Sequence, residues 1–373
     1  MSNYKYAAPC LMGVEKLLAN ELKFMGACDV IAENGRVFFS GGENIAVRAN
    51  LRSRIAERVL LVCAEFSARS FDELYEGVRA VKWADYLPKN AAFPVTGKCL
   101  SSKLMSVSDC QGIIKKACAE SLKSSYRVHG MLDESGNTYK IRFLIYKDKV
   151  SVMIDTSGEP LHKRGYRAVS NAAPMKETLA AALVEFSGVR KDTFVIDPFC
   201  GSGTILIESA QKALGIYPGL QRKFACDKWE LISPAVWEDE RNLALMQYRS
   251  DSDFQAVGYD IDESSLKIAR ENAKLAGVAD RIKFIERDIR DFCEDSSSGI
   301  VICNPPYGER LLDIKAAEEL YRIMGQNFAK KDNWEYNIIC PDDDFEKCFG
   351  RRADKRRKLY NGMLCCQLYR YFR

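Results

Sequence analysis

Histidine and paired cysteines are scarce in this sequence. Only two histidines occur, His129 and His162, and none of the fourteen cysteines lies three positions from another, so no CxxC pair is present. Structural zinc sites are built from closely spaced Cys and His ligands, and imidazole is the commonest general acid or base. The sequence therefore argues against a structural zinc and against histidine-based acid–base chemistry, and no metal is expected.

Long apolar runs and targeting signals are also missing. No stretch approaches the roughly 18 to 20 uninterrupted apolar residues of a membrane helix, and the N-terminus lacks the basic-then-apolar pattern of a secretory signal. The cysteines are scattered, and Cys63 and Cys303 lie in apolar runs where a reduced thiol packs as a small hydrophobic group. These features predict a folded protein in a reducing, cytoplasmic setting, with no membrane partner.

Strong overall charge is absent as well, because the net charge is only +4. Local clusters are more informative, since Lys and Arg interleaved with Tyr can neutralise phosphates and stack on bases. Two such clusters lie at 162–167 and 351–358. We take from them, as candidate RNA-binding residues, Lys163, Arg164, Tyr166, Arg167, Lys355, Arg356 and Arg357. The alternative for either cluster alone is a solvated surface turn.

A length of 373 residues indicates two or three domains. The first half mixes helical and strand-like segments in an α+β arrangement, including a long helical pattern from Glu43 to about Phe66. After Met175 short strands alternate regularly with helices, which predicts an α/β, Rossmann-like and mostly parallel sheet. Near the end, Asn361-Gly362 between two β-type runs predicts an antiparallel hairpin.

A glycine turn follows the first predicted strand of this second half. The residues are Asp197, Pro198, Phe199, Cys200, Gly201, Ser202, Gly203 and Thr204. Glycines between a strand and a helix let the backbone approach a ligand closely. The pattern is neither GxGxxG nor a P-loop, so a ligand without a pyrophosphate is expected.

Acidic residues end the next two predicted strands. Asp260 can accept hydrogen bonds from ribose hydroxyls across the crevice from the glycine turn. Asp262 has the alternative role of capping the following helix. Asp288 can accept a proton from an adenine amino group, or can serve as a structural cap.

The segment Asn304-Pro305-Pro306-Tyr307 ends a further predicted strand. An exocyclic base amine is a poor nucleophile because its lone pair is delocalised into the ring. The Asn304 side-chain oxygen and the Pro305 carbonyl can accept its two N–H hydrogens, so the lone pair becomes free to attack a methyl group. Pro306 stiffens the backbone, and Tyr307 offers a ring for stacking an extracted base. The alternative is a Pro-Pro turn that merely ends a strand.

Together these motifs resemble, in their order, the class I methyltransferases that act on base amino groups. The NLRSRIAERVLL, SKLMSVSDCQGIIKKA and LHKRGYR segments are similar to the THUMP-containing arm of the 23S rRNA guanine-N2 methyltransferases. The resemblance implies a ferredoxin-like segment at 1–65, a THUMP domain at 66–157, a connector at 158–175 and a methyltransferase domain at 176–373. It implies S-adenosylmethionine as cofactor, with a binding site formed by the glycine turn, Asp260 and Asp288.

By similarity to the family's segment before the glycine strand, Pro174, Lys176 and Thr178 are also expected near the cofactor. The resemblance further implies 23S rRNA, or a large-subunit assembly intermediate, as partner. In many bacteria this module is fused to a second methyltransferase, whereas this sequence ends at Arg373, so a single reaction is expected.

Other functions remain open at this point. The same NPPY segment would serve an adenine-N6 methyltransferase on DNA or RNA, although the N-terminal half shows no helix-turn-helix pattern. A non-catalytic RNA-binding or ribosome-assembly protein could retain the fold, and the absence of a thermal shift with S-adenosylmethionine would favour it. A nicotinamide oxidoreductase is disfavoured by both the glycine pattern and the terminal hairpin.

Overall fold

The computed structural model describes residues 3–167, 175–292, 296–307, 311–329 and 333–372. Its strands form two seven-stranded sheets, one in each half of the chain. Within the described residues, no helix is long and apolar enough to cross a membrane. The fold is α/β, as the sequence predicts.

The first half is built on one mixed sheet. Its strands are β1 Tyr4–Pro9, β2 Cys28–Glu33, β3 Arg36–Gly41, β4 Leu60–Ser67, β5 Val95–Leu100, β6 Ile141–Tyr146 and β7 Lys149–Asp155. Its helices are α1 Glu15–Phe24, α2 Glu43–Arg52, α3 Phe71–Arg79 and α4 Val107–Tyr126. The order β2-β3-β1-β4-β7-β6-β5 places β4 in the centre, where it pairs antiparallel with both β1 and β7. The predicted boundary at residue 65 therefore falls inside a shared central strand.

The prediction of one long helix from Glu43 to Phe66 is wrong. Helix α2 ends at Arg52, and the apolar run that follows is strand β4. Leu60 and Leu61 are buried within the sheet, and a short apolar run carries no period that distinguishes a buried strand from a buried helix.

The second half is the doubly wound sheet that the alternation predicts. Its strands are β8 Phe194–Asp197, β9 Gln255–Asp260, β10 Ile282–Glu286, β11 Gly299–Cys303, β12 Trp334–Cys340, β13 Lys355–Asn361 and β14 Leu364–Tyr371. Its helices are α5 Glu177–Phe186, α6 Thr204–Ala213, α7 Pro234–Leu245, α8 Glu263–Leu275, α9 Leu311–Phe328 and α10 Phe345–Phe349. The order is β10-β9-β8-β11-β12-β14-β13, so the sheet order reverses between β8 and β11.

The last two strands confirm the predicted hairpin. β13 and β14 pair antiparallel from Lys355↔Arg370 to Asn361↔Leu364, and β14 also pairs antiparallel with β12. Gly362 in the turn has a φ of +64°, a left-handed conformation that favours glycine. The other strand pairs of this sheet are parallel, so the carboxyl ends of β8, β9, β10 and β11 share one edge.

The two halves are joined by buried charged groups. The Arg164 guanidinium forms an ion pair with Glu208 of α6 at 3.3 Å and donates to the Arg54 carbonyl at 2.6 Å. Arg54 in turn donates to the Gln211 and Ile216 carbonyls at 3.1 and 2.7 Å. A buried charge is tolerated where it is paired and hydrogen-bonded, so these contacts fix one half against the other.

Candidate active site

The glycine turn is held in place by the strand beside it. The Cys200 amide donates to the Tyr259 carbonyl at 2.9 Å, and the Gly201 amide donates to Oδ2 of Asp260 at 2.9 Å. These two hydrogen bonds tie the loop after β8 to the end of β9, the parallel neighbour of β8. The turn and the acidic strand end therefore form one unit at the shared edge of the sheet.

The two glycines of the turn have different local environments. Gly201 has a φ of +50°, and a Cβ added there would meet open space. Gly203 has a φ of +80°, and an added Cβ would lie 3.0 Å from the Phe284 side chain and 3.2 Å from Ala269. Gly203 is thus required by conformation and packing, whereas Gly201 leaves its face of the loop open to a ligand.

Asp197 is the buried end of β8. The Phe199 amide donates to its Oδ1 at 3.0 Å. Burial and, to a smaller extent, the nearby Asp260 carboxylate raise the pKa of this carboxyl while the Phe199 hydrogen bond lowers it, and the net pKa is about 8. Near neutral pH a substantial fraction of the Asp197 carboxyl is therefore protonated.

The two acids after β9 have separate roles in the structure. Asp260 is half-buried, and its Oδ1 accepts the Asp262 amide at 3.0 Å while its Oδ2 accepts Gly201. Asp262 caps α8, since its carboxylate accepts the amides of Ser264 and Ser265 at 3.1 and 3.2 Å. The capping interpretation of Asp262 is confirmed, and Asp260 is the acid that faces the crevice.

Asp288 both caps a short helix and borders the crevice. Its Oδ1 accepts the Arg290 amide at 2.8 Å, and its Oδ2 lies 2.6 Å from the Arg290 guanidinium in a largely exposed ion pair. An exposed pair of this kind contributes little to stability.

A cavity of about 330 Å³ brings the main predicted groups together. Its lining residues are Pro198, Phe199, Asp260, Ile261, Arg287, Asp288, Ile289, Asn304, Pro305, Pro306, Tyr307 and Leu320. Except for Leu320 of α9, they lie at or just after the carboxyl ends of four parallel strands, at the edge where ligands bind in open α/β sheets. The apolar wall is not predicted from the sequence. Phe199 lies inside the glycine turn, and Ile261 and Ile289 each follow an acidic residue at a strand end, which is the signal that could have identified them.

The loop after β11 is positioned by α9. The Tyr321 hydroxyl donates to the Pro306 carbonyl at 3.4 Å, and the Cys340 thiol donates to the Tyr321 oxygen at 3.4 Å. Pro305 is buried, whereas Asn304 and Tyr307 are half-buried at the cavity. The Pro305 and Pro306 rings restrict the backbone further, so the loop is held from two sides.

The remaining members of the glycine turn contact the protein itself. Cys200 and Ser202 are buried, and the Ser202 carbonyl accepts the Asn272 side-chain amide at 3.1 Å. Thr204 Oγ1 accepts a hydrogen bond from Arg167 at 2.7 Å.

Residues near the start of α5 converge on Glu57. Thr178 donates to one Glu57 oxygen at 2.5 Å, while Lys176 and His162 lie 3.5 and 2.9 Å from the other. Burial of the Glu57 carboxyl acts to raise its pKa, but hydrogen bonds from His162 and Thr178 and the Lys176 charge outweigh it and lower the pKa to about 2. Lys176 and Thr178 are not among the residues that line the cavity, and Pro174 lies outside the described residues.

The first basic cluster, at 162–167, is largely buried, which is not what we expect of a surface that contacts RNA. Arg164 and Tyr166 are 3% and 2% exposed, and the Tyr166 hydroxyl donates to Glu208 at 3.1 Å. Arg167 lies 3.4 Å from Glu177, and of the four candidate residues in this cluster only Lys163 is exposed. The basic cluster in the sequence does not show that a buried acid, Glu208, lies more than 40 residues away. The contacts with Glu208 hold Arg164 and Tyr166 in the core. For Arg164, Tyr166 and Arg167 the prediction is corrected to a structural role, whereas Lys163 stays a predicted RNA contact.

The second cluster lies on the surface, as expected of a nucleic-acid contact. Lys355, Arg356 and Arg357 are exposed on β13, the edge strand of the sheet. Arg356 pairs with Glu346, while Arg357 donates to the Gly13 carbonyl at 3.1 Å. The charge of Arg356 is thus offset by Glu346, and Lys358 is exposed on the same strand.

Three protein-family models match successive parts of this chain. A model described as an RMKL-like methyltransferase domain matches residues 164–370. Models described as an RlmL ferredoxin-like domain and a THUMP domain match residues 5–60 and 68–155. The sheet of the first half thus comprises a ferredoxin-like and a THUMP part, with β4 between the two matched ranges.

Individual relatives extend over nearly the full chain. YpsC of Bacillus subtilis (strain 168), named as a candidate RNA methyltransferase, is 41% identical and the match covers 100% of this chain and 97% of YpsC. Ribosomal RNA large subunit methyltransferase K/L of Shewanella frigidimarina (strain NCIMB 400) is 33% identical over 98% of this chain and 52% of the relative. The chain spans about half the length of that second relative. The solved structure of SMU.472, a methyltransferase candidate complexed with SAH, is 40% identical with a TM-score of 0.95, covering 100% of this chain and 98% of that one.

Proposed function

The chain belongs to the RMKL-like methyltransferase family, and on that premise we propose that it methylates the exocyclic N2 amine of a guanine in 23S rRNA. The observation that carries the proposal is the single cavity lined by Pro198 of the glycine turn, Asp260 and the Asn304–Tyr307 segment. This shared cavity supports the proposal that a methyl-donor site and an amine-orienting segment act on one another there.

The cofactor is S-adenosylmethionine, which supplies an electrophilic methyl group on a sulfonium centre. The residues at the cavity fit it. Each oxygen of Asp260 accepts one backbone amide, so each retains an acceptor site that a ribose hydroxyl can use. The open face of Gly201 allows the backbone to approach the bound molecule.

Asn304 and Pro305 are proposed to prepare the nucleophile. The Asn304 side-chain oxygen and the Pro305 carbonyl accept the two N–H hydrogens of the amine, which draws its nitrogen toward a tetrahedral geometry. The lone pair then points away from the ring and would accept the methyl group that the bound cofactor supplies. As the N–C bond forms, the methyl–sulfur bond would break with its electron pair left on sulfur, and the extra amine proton would pass to solvent. Positioning supplies most of the acceleration, and the hydrogen bond from Tyr321 that holds the Pro306 carbonyl supports that positioning.

The base must leave its stack to reach this cavity. Tyr307 is proposed to stack on the flipped base, and Phe199, Ile289 and Leu320 provide further apolar wall. Base–aromatic stacking contributes about 1–3 kcal/mol, which offsets part of the cost of unstacking. The exposed Lys355, Arg356 and Arg357 are proposed to contact phosphates outside the cavity.

RNA as substrate is supported by the THUMP match and by the names of the two relatives. Asp288, which lines the cavity, and Cys200, Ser202 and Thr204 of the glycine turn are proposed as parts of the cofactor site. Lys176 and Thr178 are proposed to lie near it by similarity to the family alone, since they contact Glu57 and do not line the cavity.

The test is the identity of the methylated nucleoside. The purified protein is incubated with S-adenosylmethionine and 23S rRNA from a strain that lacks the gene, and the RNA is digested and analysed by mass spectrometry. The proposal expects N2-methylguanosine that is absent without protein and absent with the Asn304→Ala variant. Formation of N6-methyladenosine instead would overturn the guanine assignment, and no methylation of any RNA, including assembly intermediates, would overturn the RNA assignment.

A further inference from the structure

Two adjoining cavities lie at the end of α6 that is remote from the glycine turn. One is about 340 Å³ and the other about 240 Å³, and both are lined by Gly215 and Tyr217. Helix α6 has ten residues, so its two ends are about 15 Å apart. These cavities are therefore separate from the methyl-transfer site.

The larger cavity, called here the apolar cavity, has the lining expected for a flat ring. Its walls include Ile216, Leu220, Tyr217 and Tyr248. Gln211 also lines it, is 5% exposed, and has an Oε1 without a hydrogen-bond partner among the described residues. A buried amide oxygen without a partner costs free energy, which a donor on a bound ring would recover.

The smaller cavity, called here the basic cavity, is lined by five cations. They are Arg48, Arg52, Arg54, Lys212 and Arg249. Two carboxylates also line it, Glu21 and Glu185. Glu240 pairs with two of these cations from outside the lining, so five cations face three carboxylates and a positive excess is left to attract an anion.

Internal pairing leaves part of this charge available. Arg48 and Arg52 are both paired with Glu240, and Lys212 is paired with Glu185. Arg54 is 6% exposed, and its Nη1 has no hydrogen-bond partner among the described residues. Arg249 is exposed at the other side of the lining, where its guanidinium donates to the Ala213 carbonyl at 3.4 Å. Guanidinium groups with free N–H donors are well suited to phosphate oxygens.

Tyr217 and the end of α7 connect the two cavities. The Arg52 and Arg54 guanidinium groups lie 5.4 and 5.8 Å from the centre of the Tyr217 ring. Tyr248 lines the apolar cavity and its neighbour Arg249 lines the basic cavity. An aromatic wall next to guanidinium groups is the arrangement that binds a base and its phosphate together.

We propose that the two cavities together bind one nucleoside phosphate, with the base in the apolar cavity and the phosphate in the basic cavity. The occupant is either a free nucleotide or a single nucleotide of a bound RNA chain, since both present the same chemistry. The site lies apart from the reacting base and does not depend on which amine is methylated. The buried Arg164 and Tyr166 line the apolar cavity from the basic cluster of the connector.

The test uses two exposed lining residues, because their replacement leaves the core intact. The double variant Tyr248→Ala/Arg249→Ala removes one ring and one cation. The matched control is Met131→Ala/Arg322→Ala, which removes an exposed apolar side chain and an exposed cation that line neither cavity. GMP, guanosine and inorganic phosphate are titrated by calorimetry, and a labelled single-stranded 12-nucleotide RNA is titrated by anisotropy over a range of salt concentrations. Each titration is repeated in an Asn304→Ala background, so that failure of the methyl-transfer proposal does not affect the result.

If the occupant is a free nucleotide, GMP should bind the wild type more tightly than guanosine or phosphate does. The Tyr248→Ala/Arg249→Ala variant should then raise the Kd for GMP about fivefold or more. If the occupant is a nucleotide of an RNA chain, GMP should give no binding signal, and the Tyr248→Ala/Arg249→Ala variant should bind the RNA about fivefold or more weakly than the wild type. The dependence of the logarithm of RNA affinity on the logarithm of salt concentration should then have a slope smaller by about 0.7 in the variant, for one lost phosphate contact. The control variant should match the wild type in both titrations. Equal binding of GMP and RNA by the wild type and the Tyr248→Ala/Arg249→Ala variant would overturn the proposal.

Discussion

The Gly201 amide donates to Oδ2 of Asp260 at 2.9 Å, so a backbone group of the glycine turn orients the carboxylate at the end of the next strand. Oδ1 of the same carboxylate is oriented by the Asp262 amide. The carboxylate is thus fixed before any ligand arrives, and a preorganised acceptor loses little conformational entropy on binding.

This relationship predicts the effect of changing Asp260. Asp260→Ala removes both the proposed ribose acceptor and the anchor of the turn, so the Kd for S-adenosylmethionine should rise roughly 10- to 150-fold, as for the loss of a hydrogen bond to a charged group. Calorimetric titration measures it. The matched variant Asp262→Ala removes the α8 cap, and should lower the thermal midpoint while leaving this Kd within about twofold. Equal losses of affinity in the two variants would contradict the separate roles.

The buried Asp197 carboxyl predicts a pH-dependent stability. Burial raises its pKa to about 8 in the folded protein, against about 3.9 in the unfolded chain. Between these values the folded protein retains a proton that the unfolded chain has lost, so this group's contribution to the free energy of unfolding falls as pH rises from about 4 to about 8. Asp197→Asn removes the titration.

The stability of Asp197→Asn relative to wild type should therefore increase steadily from pH 5 to pH 8. Urea denaturation at pH 5, 6.5 and 8 measures the difference at each pH. A difference that stays constant with pH would show that Asp197 is ionised in the folded protein.

The buried ion pair between Arg164 and Glu208 predicts a large loss of stability. Glu208→Ala leaves the Arg164 guanidinium, whose side chain is 2% exposed, without its carboxylate. Removal of one partner of a buried pair costs about 3–5 kcal/mol in free energy of unfolding. Lys163→Ala, next to Arg164 but exposed, should change it by less than about 0.5 kcal/mol. Similar effects in the two variants by urea denaturation would argue against the structural role of Arg164.

Stacking by Tyr307 predicts a graded effect on methyl transfer. Tyr307→Phe keeps the ring and should retain most of kcat/KM for the RNA, whereas Tyr307→Ala should lower it about 5- to 150-fold. Initial rates with a methyl-labelled cofactor measure both variants. The stacking role is refuted if Phe and Ala at this position have the same effect.

The architecture could be predicted well from the sequence where local signals agree with the fold. The strand–helix alternation, the glycine turn and Asn361-Gly362 each carry a period or a turn residue, and the sheet with its terminal hairpin follows. The same local information failed at 53–66, where an apolar run has no period that distinguishes strand from helix.

The candidate site could be predicted only in its polar motifs. Asn304 and Asp260 follow strands that the sequence reveals, and parallel strands bring their ends to one edge. The burial of Arg164 and the convergence of Thr178 on Glu57 depend on acids more than 40 residues away, so no local pattern contains them. The same holds for the basic cavity at the end of α6, because its lining combines residues 21–54 of the first half with residues 185–249 of the second.

The most direct measurement of the central claim is the kinetics of Asn304→Ala on undermodified 23S rRNA. If Asn304 orients the reacting amine, kcat should fall at least about a hundredfold, while the Kd for S-adenosylmethionine stays within about twofold. Asn242→Ala, an exposed asparagine on α7, should match the wild type in both quantities. An Asn304→Ala protein that still forms N2-methylguanosine at near wild-type rate would contradict the account.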